Sequence, residues 1–350
     1  MKAKSFAAPS AKKPLEYYEF ERREPKNTDV EIDIHYCGVC HSDIHTAKGE
    51  WGEVAYPCVP GHEIVGIVTR VGKSVKHFKP GDRVGVGCMV GSCGTCEACK
   101  KGYENSCFNG TVWTYSSKDP VDGTDTKGGY STLIVVPEHF VLHLPKSLDM
   151  AQAAPLLCAG ITTYSPLRHW KIGKNMKVGI IGLGGLGHMG VKYAKKMGAE
   201  VWVITSSKAK EKAAKAYGAK GIIVSTSKED LARAAHTFDF LLDTIPSGHD
   251  VSPYLSLLNV HGTLCLVGPI EPMPGFHSGM VINGQKSIAG SGIGGIKETQ
   301  EMLDYSAKYN ILPEIEVIQI QDINKAWDAL IGKKMSKRYV IDMKKSFPQK

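Results

Sequence analysis

The sequence predicts a protein of two folding units: a β-rich unit and an α/β unit built on a doubly wound parallel sheet. The chain has 350 residues, which is too long for one ordinary hydrophobic core. Up to about residue 150, short apolar runs alternate with turn signals, as is typical of β structure. From residue 154 onward, strands alternate with helices, which indicates parallel βαβ units.

The β-rich unit is predicted from apolar runs at residues 30–34, 64–68 and 130–136. The polar segment 116–127 ends at a Gly-Gly pair just before the last of these runs. We therefore expect this segment to be an exposed loop.

The end of the chain is predicted to belong to the β-rich unit as well. The pattern there predicts a helix, a strand, a helix and a strand, in that order, at residues 297–308, 314–320, 323–331 and 339–343. Residues 1–153 and 295–350 then form one unit, and residues 154–294 form the other.

The parallel sheet is predicted from apolar runs separated by helical stretches. These runs lie at residues 176–181, 201–204, 222–224, 238–243 and 263–267. Two of the intervening helices are expected to end at Gly198 and Gly218, because glycine tolerates the left-handed conformation that ends many helices.

Composition excludes several classes of protein. Hydrophobic residues make up 42% and charged residues 22% of the chain, the mean hydropathy is −0.16, and no apolar run is long enough to span a bilayer. The first residues lack a signal-peptide pattern, so we expect a cytoplasmic protein. The net charge of +8 comes from lysines scattered among acidic residues, which favours a solvated surface over a nucleic-acid interface.

A dense cluster of metal-binding side chains lies at residues 37–45, with the sequence CGVCHSDIH. Cysteine together with neutral histidine is the combination that zinc selects. Cys40, His62 and Cys158 would give two sulfur ligands and one nitrogen ligand with the fourth position open, and Glu63 adds a carboxylate beside His62. This is the ligand set of a catalytic zinc.

A second set of cysteines is spaced for a closed metal site. The cysteines lie in one short loop, at Cys93, Cys96, Cys99 and Cys107. Four thiolates fill a tetrahedral shell, so this site would stabilise the fold and leave no position for substrate. The alternative is disulfides between neighbours, which a reducing compartment and the strain of so short a loop disfavour.

Other cysteines have simpler interpretations. Cys37 and Cys40 form a CxxC pair, which also occurs in thioredoxin-like redox sites, but no strand-helix context of that kind surrounds them and the metal site requires Cys40. Cys58, Cys88 and Cys265 lie in apolar or glycine-rich strands, and we expect them to be inert core residues.

A glycine-rich turn, GLGGLG at residues 182–187, directly follows the first predicted parallel strand and opens a helix. This context favours a dinucleotide site over a plain glycine-rich turn, because the helix N-terminus then faces the pyrophosphate. The acidic residue that binds the ribose of NAD is missing after the second strand, where residues 205–212 carry hydroxyls and lysines. They suit the 2′-phosphate of NADPH, although an N-cap followed by a basic helix face explains them too.

These motifs together resemble those of the zinc-dependent medium-chain alcohol dehydrogenases. CGVCHSDIH, GHEIVG, CGTCEACKKGYENSC, PLLCAGITTYSPL and GLGGLGHMG resemble in particular the cinnamyl-alcohol-dehydrogenase branch and its bacterial aldehyde-reductase relatives. The resemblance implies a GroES-like catalytic domain with an inserted Rossmann domain, a homodimer joined through the Rossmann sheets, and interconversion of primary alcohols and aldehydes with NADP(H). It also implies two zinc ions per chain, one catalytic and one structural.

By position, the resemblance assigns the catalytic zinc to Cys40, His62 and Cys158, with Glu63 able to approach the metal when substrate is absent. The structural zinc lobe, at about residues 91–108, carries Cys93, Cys96, Cys99 and Cys107.

The resemblance also implies roles in catalysis. Ser42 would lie beside the substrate oxygen, His45 would follow it in a proton relay, and Asp43 would orient the zinc-ligating histidine. Trp51 and Trp113 occupy positions that often line the substrate pocket in this branch.

The coenzyme residues carried over by resemblance fall into two groups. The pyrophosphate turn consists of Gly182, Gly184, Gly185, Leu186 and Gly187. The phosphate patch consists of Ser206 and Ser207 with the nearby lysines Lys210 and Lys212. For Arg338, just before the last strand, a contact with pyrophosphate and a plain surface position both stay open.

Two alternatives remain beside an NADPH-dependent aldehyde reductase. One is a polyol or secondary-alcohol dehydrogenase of the same superfamily. The other is a non-catalytic NADPH-binding protein on the same fold. The complete ligand set and the Ser42 and His45 pair argue against the second alternative, because a protein without catalysis has no need to keep them.

Overall fold

The structure is a computed structural model that describes residues 1–268, 271–332 and 337–348. The chain divides into two compact units. Met1–Cys158 and Gly294–Lys350 form the first unit, and Ala159–Ile293 form the second.

The strands and helices are numbered in chain order. The strands are β1 (Lys2–Ala7), β2 (Glu16–Glu21), β3 (Asp29–Gly38), β4 (Ile64–Val71), β5 (Arg83–Val86), β6 (Met89–Gly91), β7 (Val112–Trp113), β8 (Leu133–Pro137), β9 (Leu142–His143), β10 (Lys177–Ile181), β11 (Glu200–Thr205), β12 (Gly221–Val224), β13 (Phe238–Asp243), β14 (Leu258–Leu266), β15 (Ser287–Gly290), β16 (Ile315–Ile318) and β17 (Arg338–Asp342). The helices are α1 (His41–Ala47), α2 (Glu97–Lys100), α3 (Met150–Ala153), α4 (Ala159–His169), α5 (Gly187–Met197), α6 (Glu211–Tyr217), α7 (Lys228–Arg233), α8 (Ser252–Leu255), α9 (Gly279–Ile282), α10 (Ile296–Tyr309), α11 (Ile323–Ile331) and α12 (Met343–Ser346).

The first unit is organised on a mostly antiparallel sheet with the strand order β16-β17-β3-β4-β5-β9, and β8 pairs with β3. Val30, Ile32 and Ile34 alternate along β3 and are fully buried, because successive residues of a strand face opposite sides of the sheet. β17 pairs antiparallel with β3, with Ile341 opposite Cys37. The end of the chain therefore completes the sheet that leads into α1.

The first segment of this unit ends at Cys158 and not at the predicted residue 153. A 3₁₀ helix, Ala154–Leu157, follows α3 and packs on β3, β4 and β5. Leu156 and Leu157 are buried, and a Cβ added at Gly85 of β5 would lie 3.1 Å from the Leu157 side chain. This packing places Cys158 in the first unit.

The second unit contains the predicted doubly wound parallel sheet, which is confirmed. Its strand order is β12-β11-β10-β13-β14-β15, and every neighbouring pair is parallel. Ile181, Ile204, Leu241 and Leu264 belong to its buried core. The edge strand β15 was missing from the sequence-based expectation, because its four residues, SIAG, are short and partly exposed and carry little apolar signal.

Helices α5 and α6 end where glycine was expected to end them. Gly198 has φ 103° and Gly218 has φ 110°, which are left-handed values that side chains disfavour. Among the described residues, no helix combines the length and the apolar character that a membrane crossing requires.

A buried carboxylate, Glu104, connects the cysteine loop (residues 93–107) to α10 within the first unit. Its Oε2 accepts a hydrogen bond from the Ile296 N–H at 3.1 Å, and its Oε1 lies 2.8 Å from His139 Nε2. Burial raises the pKa of Glu104, but the hydrogen bonds from His139 and from backbone N–H groups lower it by more. The same hydrogen bond raises the pKa of His139.

The Glu104 and His139 pair makes stability depend on pH. The pKa of His139 is higher in the folded protein, so its contribution is complete below the unfolded pKa of about 6.5 and is lost as pH rises through the folded value. Glu104 has a lowered folded pKa, so its contribution is present above its unfolded pKa and is lost as pH falls through the folded value. We expect His139→Asn to lower the melting temperature by about 1–2 °C near pH 6 and by less near pH 9, since solvent screens the largely exposed imidazole.

Differential scanning calorimetry of the wild type and of His139→Asn at both pH values checks this prediction. His77→Asn removes another exposed histidine and serves as the control. An equal shift of the melting temperature at both pH values would contradict the role of the pair.

Candidate active site

Four buried side chains of the first unit come together into a candidate metal centre. The ligand atoms of Cys40, His62, Glu63 and Cys158 all lie within 4.8 Å of one another. Cys40 is the N-cap of α1 in the short connection that follows β3, and His62 and Glu63 immediately precede β4, the neighbour of β3. Cys158 follows the 3₁₀ helix that packs beneath these strands. Three separate segments therefore build the centre.

Asp43 fixes the geometry of two of these ligands. Its Oδ2 accepts a hydrogen bond from the Cys40 N–H at 3.0 Å, which closes the first turn of α1. Its Oδ1 lies 2.9 Å from His62 Nδ1 and accepts the Gly61 N–H at 3.0 Å. Because the carboxylate accepts a hydrogen bond from the Nδ1–H, the other ring nitrogen of His62 carries the lone pair that a metal needs.

The two thiols are arranged to bind a cation. Cys40 Sγ and Cys158 Sγ lie 4.0 Å apart. The hydrogen bond from Cys158, helped by His62, holds the pKa of Cys40 well below its usual value, whereas pairing with Cys40 and burial raise the pKa of Cys158. Burial lowers the pKa of His62, but the charge and hydrogen bond of Asp43, together with the neighbouring sulfurs of Cys88 and Cys40, raise it by more. Cys40 therefore ionises first, and a metal ion replaces the remaining protons when it binds.

Arg338 corrects one expectation from the sequence. It is 6% exposed, so it is not a surface residue, and its guanidinium pairs with Glu63 Oε1 inside the first unit. β17 carries Arg338 beside β3, which positions it next to the metal centre. No local signal could have found this pair, because its two residues are 275 positions apart in the sequence.

The types of ligand atom in this centre and the distances between them are suitable for zinc. Glu63 Oε2 is buried and has no hydrogen-bond partner among the described residues. Burial raises the pKa of Glu63 to about 7 even though Arg338 opposes the shift. A cation beside two sulfurs and one imidazole would supply the missing partner. Gly38 leaves room for this oxygen, since an added Cβ would lie 1.8 Å from it.

The predicted relay residues lie on the same short helix. Ser42 Oγ lies 3.6 Å from Cys40 Sγ, so its hydroxyl borders the metal centre. His45 is one turn further along α1, its ring stacks on Trp51 with centroids 5.0 Å apart, and its Nδ1 hydrogen bonds with Glu50. Sequence reasoning missed Glu50, although a carboxylate five residues after a relay histidine is a signal that could have indicated it.

The two tryptophans that were predicted to line the substrate pocket are exposed. Trp51 is 39% exposed and Trp113, on β7, is 43% exposed, so both rings are accessible.

Cys88 is not the inert core residue that was expected. It is partly exposed, its Sγ lies 3.8 Å from the Leu157 carbonyl oxygen, and a hydrogen bond with Cys158 lowers its pKa.

The cysteine loop forms the second candidate metal centre. The sulfur atoms of Cys93, Cys96, Cys99 and Cys107 also lie within 4.8 Å of one another, and all ten cysteines are free thiols. Cys93 and Cys99 are 3.9 Å apart and Cys96 and Cys99 are 3.5 Å apart, close to the roughly 3.8 Å that tetrahedral zinc–sulfur bonds require. Backbone N–H groups of Cys96 and Thr95 lower the pKa of Cys93 to about 5, which favours the thiolate that a metal binds.

The glycine-rich turn lies between β10 and α5 of the second unit, at the carboxyl end of the parallel sheet. Gly182 has φ 89°, and a Cβ added at Gly187 would lie 2.2 Å from the Gly182 carbonyl oxygen. Gly184 is exposed and has open space at its Cβ position. Gly185 and Leu186 complete the turn, and Leu186 is the N-cap of α5. The main chain is thus exposed where a pyrophosphate would meet the helix N-terminus.

The predicted phosphate patch follows β11. Ser206 is exposed, and Ser207 occupies the N-cap position of the 3₁₀ helix Lys208–Lys210. Lys210 Nζ lies 3.4 Å from the Leu183 carbonyl oxygen, so this lysine reaches back to the glycine-rich turn. Lys212 is exposed on α6.

Two protein-family models match this chain, one in each half of the sequence. Residues 26–146 match the model of the alcohol dehydrogenase GroES-like domain, and residues 185–308 match that of the zinc-binding dehydrogenases. These matches confirm the predicted combination of a GroES-like and a Rossmann-type fold.

Several full-length relatives are similar to the chain. It is 49% identical over 344 residues to the aldehyde reductase YahK of Escherichia coli, covering 98% of each chain. It is 48% identical to the NADP-dependent alcohol dehydrogenase C of Mycobacterium tuberculosis, covering 97% of this chain and 98% of that protein.

Two solved structures superpose on this chain over almost its full length. The cinnamyl alcohol dehydrogenase of Sorghum bicolor superposes with a TM-score of 0.96 at 42% identity over 100% of both chains. CAD from Helicobacter pylori, complexed with NADP(H), superposes with a TM-score of 0.93 at 46% identity over 99% of both chains.

We expect Gly38→Ala to lower the zinc content from two ions per chain towards one. The added methyl would occupy the space of Glu63 Oε2, and so displace a carboxylate at the four-ligand centre, while the cysteine loop is untouched. Inductively coupled plasma mass spectrometry of the purified protein measures this. Gly275→Ala, where an added Cβ meets open space, is the control. A Gly38→Ala protein that keeps its full zinc content would show that the crowding argument is wrong.

Proposed function

The chain belongs to the zinc-dependent medium-chain alcohol dehydrogenases, and from this premise we propose that it interconverts primary alcohols and aldehydes with NADP(H), mainly as an aldehyde reductase. The observation that carries the proposal is the buried Cys40, His62, Glu63 and Cys158 cluster with the Ser42 hydroxyl at its border. Aromatic, cinnamyl and aliphatic aldehydes are the proposed substrates.

Zinc bound at this centre would supply a Lewis acid that polarises the aldehyde oxygen, and NADPH would supply the hydride. The side chains of the protein position the metal ligands and compensate the buried charge. Asp43 and the α1 N-terminus hold Cys40 and His62 in place, so the ligand geometry is set before substrate arrives. Arg338 holds Glu63 by one oxygen and keeps its charge compensated in the buried site.

Ser42 is the group that delivers a proton to the reduced substrate oxygen. Its hydroxyl lies 3.6 Å from Cys40 Sγ, at the border of the metal centre, where it would be within reach of a substrate oxygen bound there. His45, one turn along α1, replaces that proton. Its Nδ1 is engaged by Glu50 and its ring is held against Trp51, which fixes the tautomer and leaves Nε2 to exchange protons.

We expect Ser42→Ala to lower kcat by about 100- to 10,000-fold while both zinc ions stay bound, because proton transfer by a positioned group contributes this much. His45→Gln should cost less, since water partly replaces a distal member of the relay. Steady-state kinetics, with metal content measured on the same samples, shows whether Ser42→Ala lowers kcat by more than His45→Gln does. Ser74→Ala, at an exposed serine, is the control. Wild-type turnover in zinc-loaded Ser42→Ala would remove Ser42 from the mechanism.

The substrate class separates this proposal from a polyol or secondary-alcohol dehydrogenase. A panel of benzylic, cinnamyl and aliphatic aldehydes with NADPH, run beside polyols and secondary alcohols with NADP, gives the decisive rates. Higher kcat/KM for polyols or secondary alcohols would overturn the aldehyde-reductase proposal.

We propose that Ser206, Ser207 and Lys210 bind the 2′-phosphate of NADPH, and that Lys212 adds positive charge nearby. The exposure of Ser206 and the contact of Lys210 with the glycine-rich turn support this assignment. A serine hydroxyl and a lysine ammonium both donate hydrogen bonds to phosphate oxygens.

Ser206→Asp tests the phosphate patch. A carboxylate there would repel the 2′-phosphate, so we expect KM for NADPH to rise by about tenfold or more and NADH to become the preferred coenzyme. Initial rates with both coenzymes measure this. Ser74→Asp makes the same charge change in the other unit and is the control. Unchanged discrimination in Ser206→Asp would place the phosphate elsewhere.

We propose that two chains form a homodimer through the second unit. β15 stands at the end of the strand order, and Ile282, close before it in sequence, is 71% exposed. A terminal strand of the sheet and an exposed apolar side chain close to it in sequence favour pairing with a second copy. Ile282→Lys should yield monomers in light scattering coupled to size-exclusion chromatography, whereas Ile331→Lys, at an exposed isoleucine of the first unit, should not. A monomeric wild type would refute the proposal.

We also propose that the protein works in the cytoplasm. Its ten free thiols suit a reducing compartment. Detection of the chain in the cytoplasmic fraction of its cells would support this, and detection in a secreted or periplasmic fraction would overturn it.

A further inference from the structure

The hydrogen-bond donors around Asp43 include one that neither the metal motif nor the relay accounts for. The Tyr130 hydroxyl donates to Asp43 Oδ2 at 3.1 Å. Tyr130 is fully buried, and so is Asp43. We propose that Tyr130 is a positioning residue of the catalytic zinc centre, which holds the Asp43 carboxylate in the orientation that keeps His62 fixed as a ligand.

The donors are distributed evenly over the carboxylate. Oδ1 accepts from the His62 ring and the Gly61 N–H, and Oδ2 accepts from the Cys40 N–H and the Tyr130 hydroxyl. A carboxylate oxygen has two lone pairs, so these four donors can fill every acceptor position. The buried Tyr115 is a further neighbour, because burial and then the charge of Asp43 raise its pKa well above its usual value. Loss of the Tyr130 hydroxyl would leave one of the four acceptor positions empty in a site without solvent exposure, which is costly for a buried charge.

The position of Tyr130 is set by its own main chain. Its N–H donates to the Pro60 carbonyl at 2.9 Å, and its carbonyl accepts from the Phe6 N–H at 3.0 Å. The preceding Gly129 N–H donates to the Gly61 carbonyl at 2.8 Å. The segment that carries Tyr130 is thus tied to the turn immediately before His62. The main chain of Tyr130 is therefore fixed to the same turn that positions His62.

The hydroxyl also keeps its proton. Burial, and after it the charge of Asp43, raises the pKa of Tyr130 well above its usual value, so the hydroxyl stays protonated and remains a donor near neutral pH. Among the four donors, two are backbone N–H groups that the fold supplies in any case, and the third is the ligand itself. The fourth is Tyr130, and substitution there can change how the carboxylate is held without removing either the carboxylate or a metal ligand.

Tyr130→Phe keeps the ring and removes only the hydroxyl. Without it, Oδ2 keeps one donor, the carboxylate can rotate, and His62 is held less firmly. Loss of such an outer contact typically costs about 10- to 100-fold in metal affinity. We therefore expect zinc to leave the centre formed by Cys40, His62 and Cys158 about tenfold faster in the presence of a chelator, with no change at the cysteine loop.

The experiment follows zinc release from the purified full-length protein with a chromogenic chelator, and compares wild type, Tyr130→Phe and Tyr56→Phe. Tyr56→Phe is a matched control, because its hydroxyl donates to the Ala47 carbonyl at 2.9 Å near the end of α1, away from Asp43. Cobalt substitution supplies a spectroscopic readout, since the visible bands of cobalt respond to ligand geometry at the site. We expect altered cobalt bands in Tyr130→Phe and wild-type bands in Tyr56→Phe.

An Asp43→Asn background tests whether Tyr130 acts through Asp43. There, adding Tyr130→Phe should produce no further acceleration, because the two changes remove the same interaction. Wild-type release and wild-type cobalt bands in Tyr130→Phe would overturn the inference. So would equal acceleration at both zinc sites, which would indicate general destabilisation.

This inference rests on the proposed catalytic zinc centre, and the same measurement separates the two failures. If the wild type releases only the zinc of the cysteine loop, the proposed centre itself fails and the inference with it. If the wild type releases both zinc ions and Tyr130→Phe behaves like the wild type, only the role of Tyr130 is lost.

Discussion

The Asp43 carboxylate accepts hydrogen bonds from four groups while it is completely shielded from solvent, and the metal centre depends on this arrangement. A buried charge is costly unless its hydrogen-bonding capacity is filled. Cys40 and His62 lie on different segments, and Asp43 is bonded to both. The correct ligand geometry and the lowest-energy state of the buried carboxylate are therefore the same state, so folding of the first unit assembles the centre before any metal arrives.

The pair formed by Glu63 and Arg338 extends this dependence to the end of the chain. Arg338 is on β17, which pairs with β3 only after the chain has passed through the whole second unit. Without that pairing, Glu63 would be a buried carboxylate without a cation. β17 lies between β16 and β3 in the sheet, so the segment after the inserted unit completes the sheet begun by the segment before it.

Local sequence patterns predicted a large part of this architecture. The strand and helix alternation, the glycine-rich turn and the helix ends at Gly198 and Gly218 depend on neighbouring residues, and spacing alone is enough to read them. The contacts of Arg338 with Glu63 and of Tyr130 with Asp43 depend on strand register between distant segments, which no local pattern contains. Cys88 was misjudged for the same reason, because its surroundings in sequence are apolar while its neighbour in space is Cys158.

The two cysteine-containing centres differ in how they are built, and the difference explains their different chemistry. The cysteine loop draws its four sulfurs from one contiguous stretch, which can surround an ion by itself and leaves no ligand position open. At the other centre, Glu63 is the fourth candidate ligand, but Arg338 holds one of its oxygens and Gly38 leaves space for the other. Arg338 and a bound zinc ion would therefore use different oxygens of the same carboxylate. The other ligand atoms come from Cys40, His62 and Cys158, so the fourth position of a tetrahedral ion would be taken by Glu63 or, in its place, by a substrate oxygen, and this exchange distinguishes the centre from the closed cysteine loop.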